Sequence, residues 1–178
     1  MSSIDPRYPV GPSPNRTELT PDERRAAIDD IAAAPVRMRE AVRGLTEQQL
    51  DTPYRDGGWS VRQVVHHVPD SHLNAYCRLK IALTEDEPTI RPYDEAVWAE
   101  LADSRNTPIE VSLTLLESLH ARWVGLMRSM KDEDFRRTLK HPERPGLTLT
   151  IDWLVSLYGW HSRHHVGHIT SLRERQGW

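Results

Sequence analysis

The sequence is poor in the features of cross-linked, exported and membrane-spanning proteins. Its 178 residues include one cysteine, so a disulfide within the chain and a cysteine-rich zinc site are both excluded. We expect that cysteine, Cys77, to be a buried core thiol. No stretch approaches the roughly 18 apolar residues of a membrane span, and the opening MSSIDPRYPVGPSPNR lacks the apolar run of a secretory signal. We therefore expect a cytoplasmic protein without membrane contact.

The charge is close to balanced, with 23 Lys and Arg residues against 26 Asp and Glu residues and a net charge of -3. Nucleic-acid-binding domains usually carry a basic face or a Lys/Arg run, and neither is visible here. We expect no nucleic-acid partner and a small-molecule substrate instead. The chain length suits a single domain with a real core.

Histidine and tryptophan are abundant, with nine and six copies against a single phenylalanine. The histidines fall mainly in two clusters, within residues 64–72 and 161–168. Because imidazole is a common ligand of divalent metals, these clusters raise the question of a metal site.

The chain divides into an extended N-terminal arm, residues 1–19, and a helical domain, residues 20–178. Four prolines in the arm fix the backbone and remove donors, which disfavours a helix there. Capping residues at Thr20, Ser60 and Thr107 predict three long helices, and a fourth runs from about Thr150 to Arg175. Residues 94–103 predict one short helix, and no strand pattern is visible. The prediction is all-α, a four-helix bundle with short extra helices.

One stripe of the last helix combines core leucines with His161, His165 and His168. Three buried imidazoles are hard to satisfy with hydrogen bonds alone, whereas a metal accepts a lone pair from each neutral ring. His161 and His165 are one turn apart and can converge on one ion. His164 and His168 form a second pair with the same spacing. His164 lies about 60° from the stripe, which favours the first pair without excluding the second.

A catalytic metal usually has three protein ligands and one open position, so a third ligand is needed. The candidates are His66, His67 and His72 on the second long helix. The apolar stripe of that helix places His72 inward, so periodicity alone favours His72. A fourth protein ligand, such as His168 or Asp70, would indicate a structural metal instead.

Three blocks of the sequence resemble the YfiT type of the DinB-like superfamily. They are TPYRDGGWSVRQVVHHVPDSHLNAYCRLK (52–80), EDEPTIRPYDEAVW (85–98) and YGWHSRHHVGHI (158–169). The similarity extends over nearly the whole chain, including the YPVG of the arm. One departure is Pro69, where this family usually has a small residue other than proline.

The resemblance implies a four-helix bundle, often a homodimer, with one divalent metal held by three histidines. Mapped onto this sequence, the metal ligands are His67, His161 and His165, so the resemblance overrules periodicity on the second long helix. It also implies an enzyme that transfers a low-molecular-weight thiol, such as bacillithiol, to an electrophilic small molecule through a metal-bound thiolate. Zinc or nickel is the expected metal. The alternatives are a metal-dependent hydrolase using activated water and a non-catalytic stress-response metal-binding protein.

Further site residues are predicted around the metal. Asp70 lies three residues from His67 and could orient a ligand or act as a base. Tyr54 and Arg55 belong to a polar and aromatic loop that also contains Trp59 and could line a pocket. Arg91 and Tyr93 lie in the IRPYDE connection, where a cation could bind an anionic thiol.

Overall fold

Three of the four long helices begin where the sequence predicts. The computed structural model describes residues 5–178. Helix α1 (Pro21–Val42) begins after a capping box of Thr20 and Glu23, and α3 (Val61–Thr84) begins after one of Ser60 and Gln63. Helix α8 (Ile151–Gln176) begins at Thr150, whose hydroxyl accepts from the Trp153 amide. Helices α1 and α3 both continue through an internal proline, Pro35 and Pro69 respectively.

The capping box predicted at Thr107 is wrong. Helix α6 (Ile109–Ser129) begins one residue later than predicted, with Pro108 at its N-cap position, and proline has no side-chain acceptor to cap the helix. The Thr107 carbonyl accepts from the His66 ring. The short helix predicted over 94–103 is two helices that break at Glu100, α4 (Glu95–Ala99) and α5 (Ala102–Asn106). The remaining elements are α2 (Glu47–Leu50), α7 (Asp132–Phe135) and an unpredicted antiparallel pair, β1 (Thr138–Leu139) and β2 (Leu149–Thr150).

The four long helices form the bundle. Helix α1 packs against α6 and α8, and α3 packs against the same two helices, so α1 and α3 occupy opposite corners. The approach of α1 to α8 is close at Gly159, where a β-carbon would lie 3.1 Å from the backbone of Ala27. An ion pair joins the same two helices: buried Asp152 accepts from Arg24 at 2.7 Å and also from the Leu19 amide.

Two apolar clusters fill the bundle, one towards each end. The first contains Ala75 and Leu79 of α3 with Trp123 of α6, and the second contains Val64 and Val68 of α3. On each of the four long helices, the two clusters occupy separate stretches of the sequence, so they lie at different levels along the bundle. His72 of α3 and the four histidines of α8 fall between the two clusters along their helices. Together with His67 and His120, which contact them, they form a polar layer near the middle of the core.

The described part of the arm, residues 5–19, runs along α8. The Trp160 indole donates to the Gly11 carbonyl at 3.1 Å, and Pro9 lies over Gly167, where a β-carbon would meet it at 3.0 Å. The arm therefore packs on its own domain. Residues 1–4 of the predicted arm lie outside the described residues.

The prediction that Cys77 is buried is wrong. Its side chain is exposed on α3, on the same face as the exposed Leu73 and Ile81 and opposite the buried Ala75 and Leu79. In the described part of the chain, none of the helices is both long enough and apolar enough to span a bilayer.

Candidate metal centre

Three histidine rings from α3 and α8 meet in the polar layer of the bundle. The Nε2 atom of His161 lies 3.4 Å from Nε2 of His67 and 3.1 Å from Nε2 of His165. Within the described residues, one ligand atom from each of these three side chains lies within 4.8 Å of the others, and neither His168 nor Asp70 belongs to the group. The structure thus brings together the three histidines that the resemblance indicates.

The local sequence explains why the rings converge. His161 and His165 are one turn apart on α8, so both side chains leave the helix on one face. His67 reaches them from the second turn of α3, and α3 packs against α8. The Trp59 indole, in the loop before α3, lies 4.6 Å from the His67 ring and stacks on the His165 ring at 6.4 Å. This indole limits the positions that the two rings can take.

The environment keeps these imidazoles neutral. Burial lowers the pKa of His67 to about 4, and burial with the neighbouring histidines lowers the pKa of His161 and His165 well below the usual value. A neutral ring offers one lone pair, which is the form that binds a metal. At neutral pH the cluster is therefore ready to coordinate a cation without first losing protons.

The spacing of the three nitrogens fits a metal. Two nitrogens about 2.1 Å from one tetrahedral ion are about 3.4 Å apart, close to the 3.1 and 3.4 Å found here. Neutral rings so close together direct lone pairs at one another unless a proton or a cation lies between them. Three uncharged donors also leave the positive charge of a divalent ion in place.

The other two histidines of α3 have different partners. His66 points towards α6, where its Nδ1 accepts from the Ser112 hydroxyl at 2.7 Å and its Nε2 donates to the Thr107 carbonyl at 3.0 Å. His72 is fully buried, as periodicity predicts, but its Nε2 bonds to Nδ1 of His161 at 3.0 Å and does not face the cluster.

The alternative pair on α8 does not share a third ligand. The ring of His164 stacks on Trp160 at 4.2 Å, and the ring of His168 stacks on Tyr54 at 4.0 Å. The Nδ1 atoms of both rings are buried without a hydrogen-bond partner in the described structure. These two side chains line the cavity beside the cluster.

A cavity of about 530 Å³ opens at the cluster. Of the residues predicted around the metal, Tyr54, Arg55 and Tyr93 line it together with Trp59. Arg91 lies instead in a separate surface depression with Asn74 and Trp98. Asp70 does not line the cavity, and burial together with the charge of Asp103 raises its pKa to about 6.

The lining residues that were not predicted include Ser71 and Arg78 of α3, Tyr158 of α8, and two exposed carboxylates, Glu95 and Glu143. The Tyr158 hydroxyl donates to the Ser71 carbonyl at 3.2 Å. Arg78 donates to the Arg91 carbonyl at 2.7 Å, while its Nε is buried without a partner in the described residues. Arg78 lies 11 residues after His67, close to three full turns of helix, so the periodicity of α3 already placed both on one face.

This fold and site define a class of protein, a four-helix bundle with a buried three-histidine cluster at the floor of a cavity. The model of the DinB superfamily matches residues 30–169, and the chain belongs to that family.

Several relatives match over nearly their whole length. YfiT of Bacillus subtilis is 46% identical over 178 residues, covering 100% of this chain and 99% of the relative. A Bacillus cereus protein (strain ATCC 10987) is 51% identical over 174 residues, covering 98% and 99%. Both are named as candidate metal-dependent hydrolases. The solved structure of YfiT, described as "a probable metal-dependent hydrolase with an unusual four-helix bundle topology", superposes with a TM-score of 0.94 at 45% identity, covering 98% of this chain and 99% of that one.

Proposed function

We propose that this chain is a metal-dependent enzyme whose divalent cation is held by His67, His161 and His165. The observation that carries the proposal is the convergence of three neutral imidazoles at the floor of a cavity wide enough for a small substrate. A divalent cation in this position supplies a Lewis acid that lowers the pKa of a coordinated thiol or water. We propose zinc or nickel as this cation, since both accept imidazole readily.

Within this class we propose transfer of a low-molecular-weight thiol to an electrophilic small molecule. The S–H bond of the thiol breaks, an S–C bond forms to the electrophile, and the leaving group departs with its electron pair while solvent takes up the proton. The only cysteine of the chain, Cys77, is exposed on the outer face of α3, so the thiol has to come from a small molecule.

Two arginines support an anionic thiol such as bacillithiol, in a cavity that the exposed Glu95 and Glu143 also line. Arg55 and Arg78 line the cavity, and neither has a carboxylate partner within 4.0 Å among residues 5–178. Arg78 also keeps one guanidinium donor free. A guanidinium binds carboxylates with charge-assisted hydrogen bonds. We assign to Arg78 the binding role first predicted for Arg91, whose side chain lies outside the cavity.

Hydrolysis by activated water is the rival activity, and it is the one that the names of the relatives favour. The same three histidines would hold the metal, and the cavity would hold an ester or amide instead of a thiol. A non-catalytic role requires a fourth protein ligand to close the site, and no fourth donor joins the cluster in the part of the chain that the structure describes.

Two assays on the zinc-loaded protein separate the activities. The first follows conjugation of bacillithiol to 1-chloro-2,4-dinitrobenzene, and the second follows hydrolysis of p-nitrophenyl acetate without thiol. We expect conjugation above the uncatalysed rate, with loss of that excess in His67→Ala. Hydrolysis alone would replace thiol transfer with the rival, and activity in neither assay would favour the binding protein.

A further inference from the structure

A chain of hydrogen bonds leads from the candidate metal centre to the far side of the bundle. Nδ1 of His161 lies 3.0 Å from Nε2 of His72, and Nδ1 of His72 lies 2.8 Å from Nε2 of His120. Nδ1 of His120 lies 2.6 Å from the carbonyl oxygen of Ile31 in α1. Three rings from three helices thus connect α8 to α1 through the core.

The last acceptor fixes the direction of the whole chain. A carbonyl oxygen can only accept, so Nδ1 of His120 carries the proton and its Nε2, in a neutral ring, is an acceptor. Nδ1 of His72 must then donate to His120, which leaves Nε2 of His72 to accept from Nδ1 of His161. The Nε2 of His161 is left with its lone pair, directed at His67 and His165.

This direction of the hydrogen bonds requires neutral rings, and burial in the core favours the neutral form. His72 is fully buried and His120 is 2% exposed. Burial also lowers the pKa of His120 to about 4. Trp123 and Tyr158 pack edge-on against the His72 ring, so the chain has apolar surroundings.

A proline in α1 explains why the Ile31 carbonyl accepts a side chain. The donor that would normally bond to this carbonyl is the amide of the residue four positions later, which is Pro35 and has no N–H. The carbonyl is fully inside the bundle, where an unsatisfied acceptor is costly. His120 supplies the missing donor.

We propose that His72 and His120 are positioning residues that set the tautomer and ring orientation of His161 from the Ile31 carbonyl. This proposal rests on the proposed function, which identifies His161 as a metal ligand. Partners of this kind, bonded to the second nitrogen of a ligand histidine, typically change metal affinity by about 10- to 100-fold when removed.

Two substitutions of His120 separate hydrogen bonding from packing. In His120→Gln the amide oxygen can accept from His72 and the amide NH₂ can donate to Ile31, so the direction of the chain is kept. In His120→Leu the volume is similar but no hydrogen bond remains. We expect the zinc dissociation constant, measured by chelator competition, to stay within about threefold of wild type in His120→Gln and to rise by about 10- to 100-fold in His120→Leu.

The result that overturns the proposal is equal weakening in both variants, or wild-type affinity in a folded His120→Leu. A second readout needs neither metal nor variant: long-range ¹H–¹⁵N NMR of the metal-free wild type should show His161 protonated at Nδ1. Protonation at Nε2 would overturn the proposal even if His120→Leu failed to fold. Because this spectrum is taken without metal, absence of zinc binding in wild type would refute the proposed function and leave the tautomer test standing.

Discussion

Among single residues, Arg78 is the side chain that we expect to influence the proposed thiol binding most. It lines the cavity, it has a free Nε, and no carboxylate among residues 5–178 neutralises it. The periodicity of α3 was sufficient to place it on the same face as His67, three turns further along the helix. It was missed because arginine on a helix is usually exposed, and sequence does not show which exposed face carries a cavity.

Replacing Arg78 by methionine removes the charge and keeps an unbranched stem similar to the aliphatic part of the side chain. A hydrogen bond to a charged group contributes about 1.5–3 kcal/mol, so the apparent dissociation constant for bacillithiol should rise by about 10- to 100-fold. Isothermal titration of the zinc-loaded protein measures it. Cysteamine, a thiol without a carboxylate, is the matched ligand and should bind both proteins equally. An unchanged constant for bacillithiol would remove Arg78 from the site.

The choice between His67 and His72 marks the limit of periodicity at this scale. Both are buried, so the prediction that His72 points inward is correct. A helical phase gives the direction of a side chain but not what it meets, and the two positions are about 7.5 Å apart along the axis. As a result the two side chains meet different atoms of the same ring: His72 contacts Nδ1 of His161, and His67 contacts its Nε2.

At the scale of elements, the packing of α1 on α8 depends on the absence of a side chain at Gly159. The sequence predicted both helices, yet nothing in it identified this contact, because helix glycines look alike without their neighbours. Gly125 of α6 shows the difference, since a β-carbon there would have no neighbour within 4 Å.

Alanine at the two glycines should change stability in opposite directions. In Gly159→Ala the new β-carbon meets the Ala27 backbone at 3.1 Å, and we expect a loss of about 1–3 kcal/mol in the free energy of unfolding. In Gly125→Ala the gain in helix propensity should add up to about 1 kcal/mol. Urea unfolding followed by circular dichroism measures both. The same sign in both variants would contradict the close approach of α1 and α8.

At the scale of the whole molecule, the bundle keeps a layer of neutral histidines between two apolar clusters. The bundle itself followed from capping and periodicity, and the DinB superfamily fold bears it out. The β1–β2 pair could not be predicted from the sequence, because two-residue strands leave no periodic signal. The homodimer expected from the resemblance stays a prediction.

The histidine layer makes the metal-free protein sensitive to acid. A histidine whose folded pKa lies below its unfolded value of about 6.5 stabilises the fold fully above that value, and the contribution is lost as the pH falls towards the folded pKa. For His120 that window is from about 6.5 to about 4, with a slope of about 1.4 kcal/mol per pH unit for each such histidine. Asp70 has the opposite effect, because its pKa is raised to about 6 and its protonation favours the folded state as the pH falls. It is one group against several histidines.

We therefore expect the free energy of unfolding of chelator-treated protein to fall between pH 7 and pH 5. Urea unfolding at the two values measures the change. In His120→Gln one titrating group is gone, so the decrease should be smaller than in wild type. Equal or greater stability at pH 5 would show that these rings are not held neutral.

Metal content shows directly whether three histidines hold one divalent metal. Elemental analysis after zinc loading and desalting would compare wild type with His67→Ala, His161→Ala and His165→Ala, and His164→Ala would serve as the matched control. We predict about one zinc per chain in wild type and in His164→Ala, and loss of most of it in the other three. No zinc in wild type, or loss in His164→Ala with retention in His165→Ala, would contradict the account.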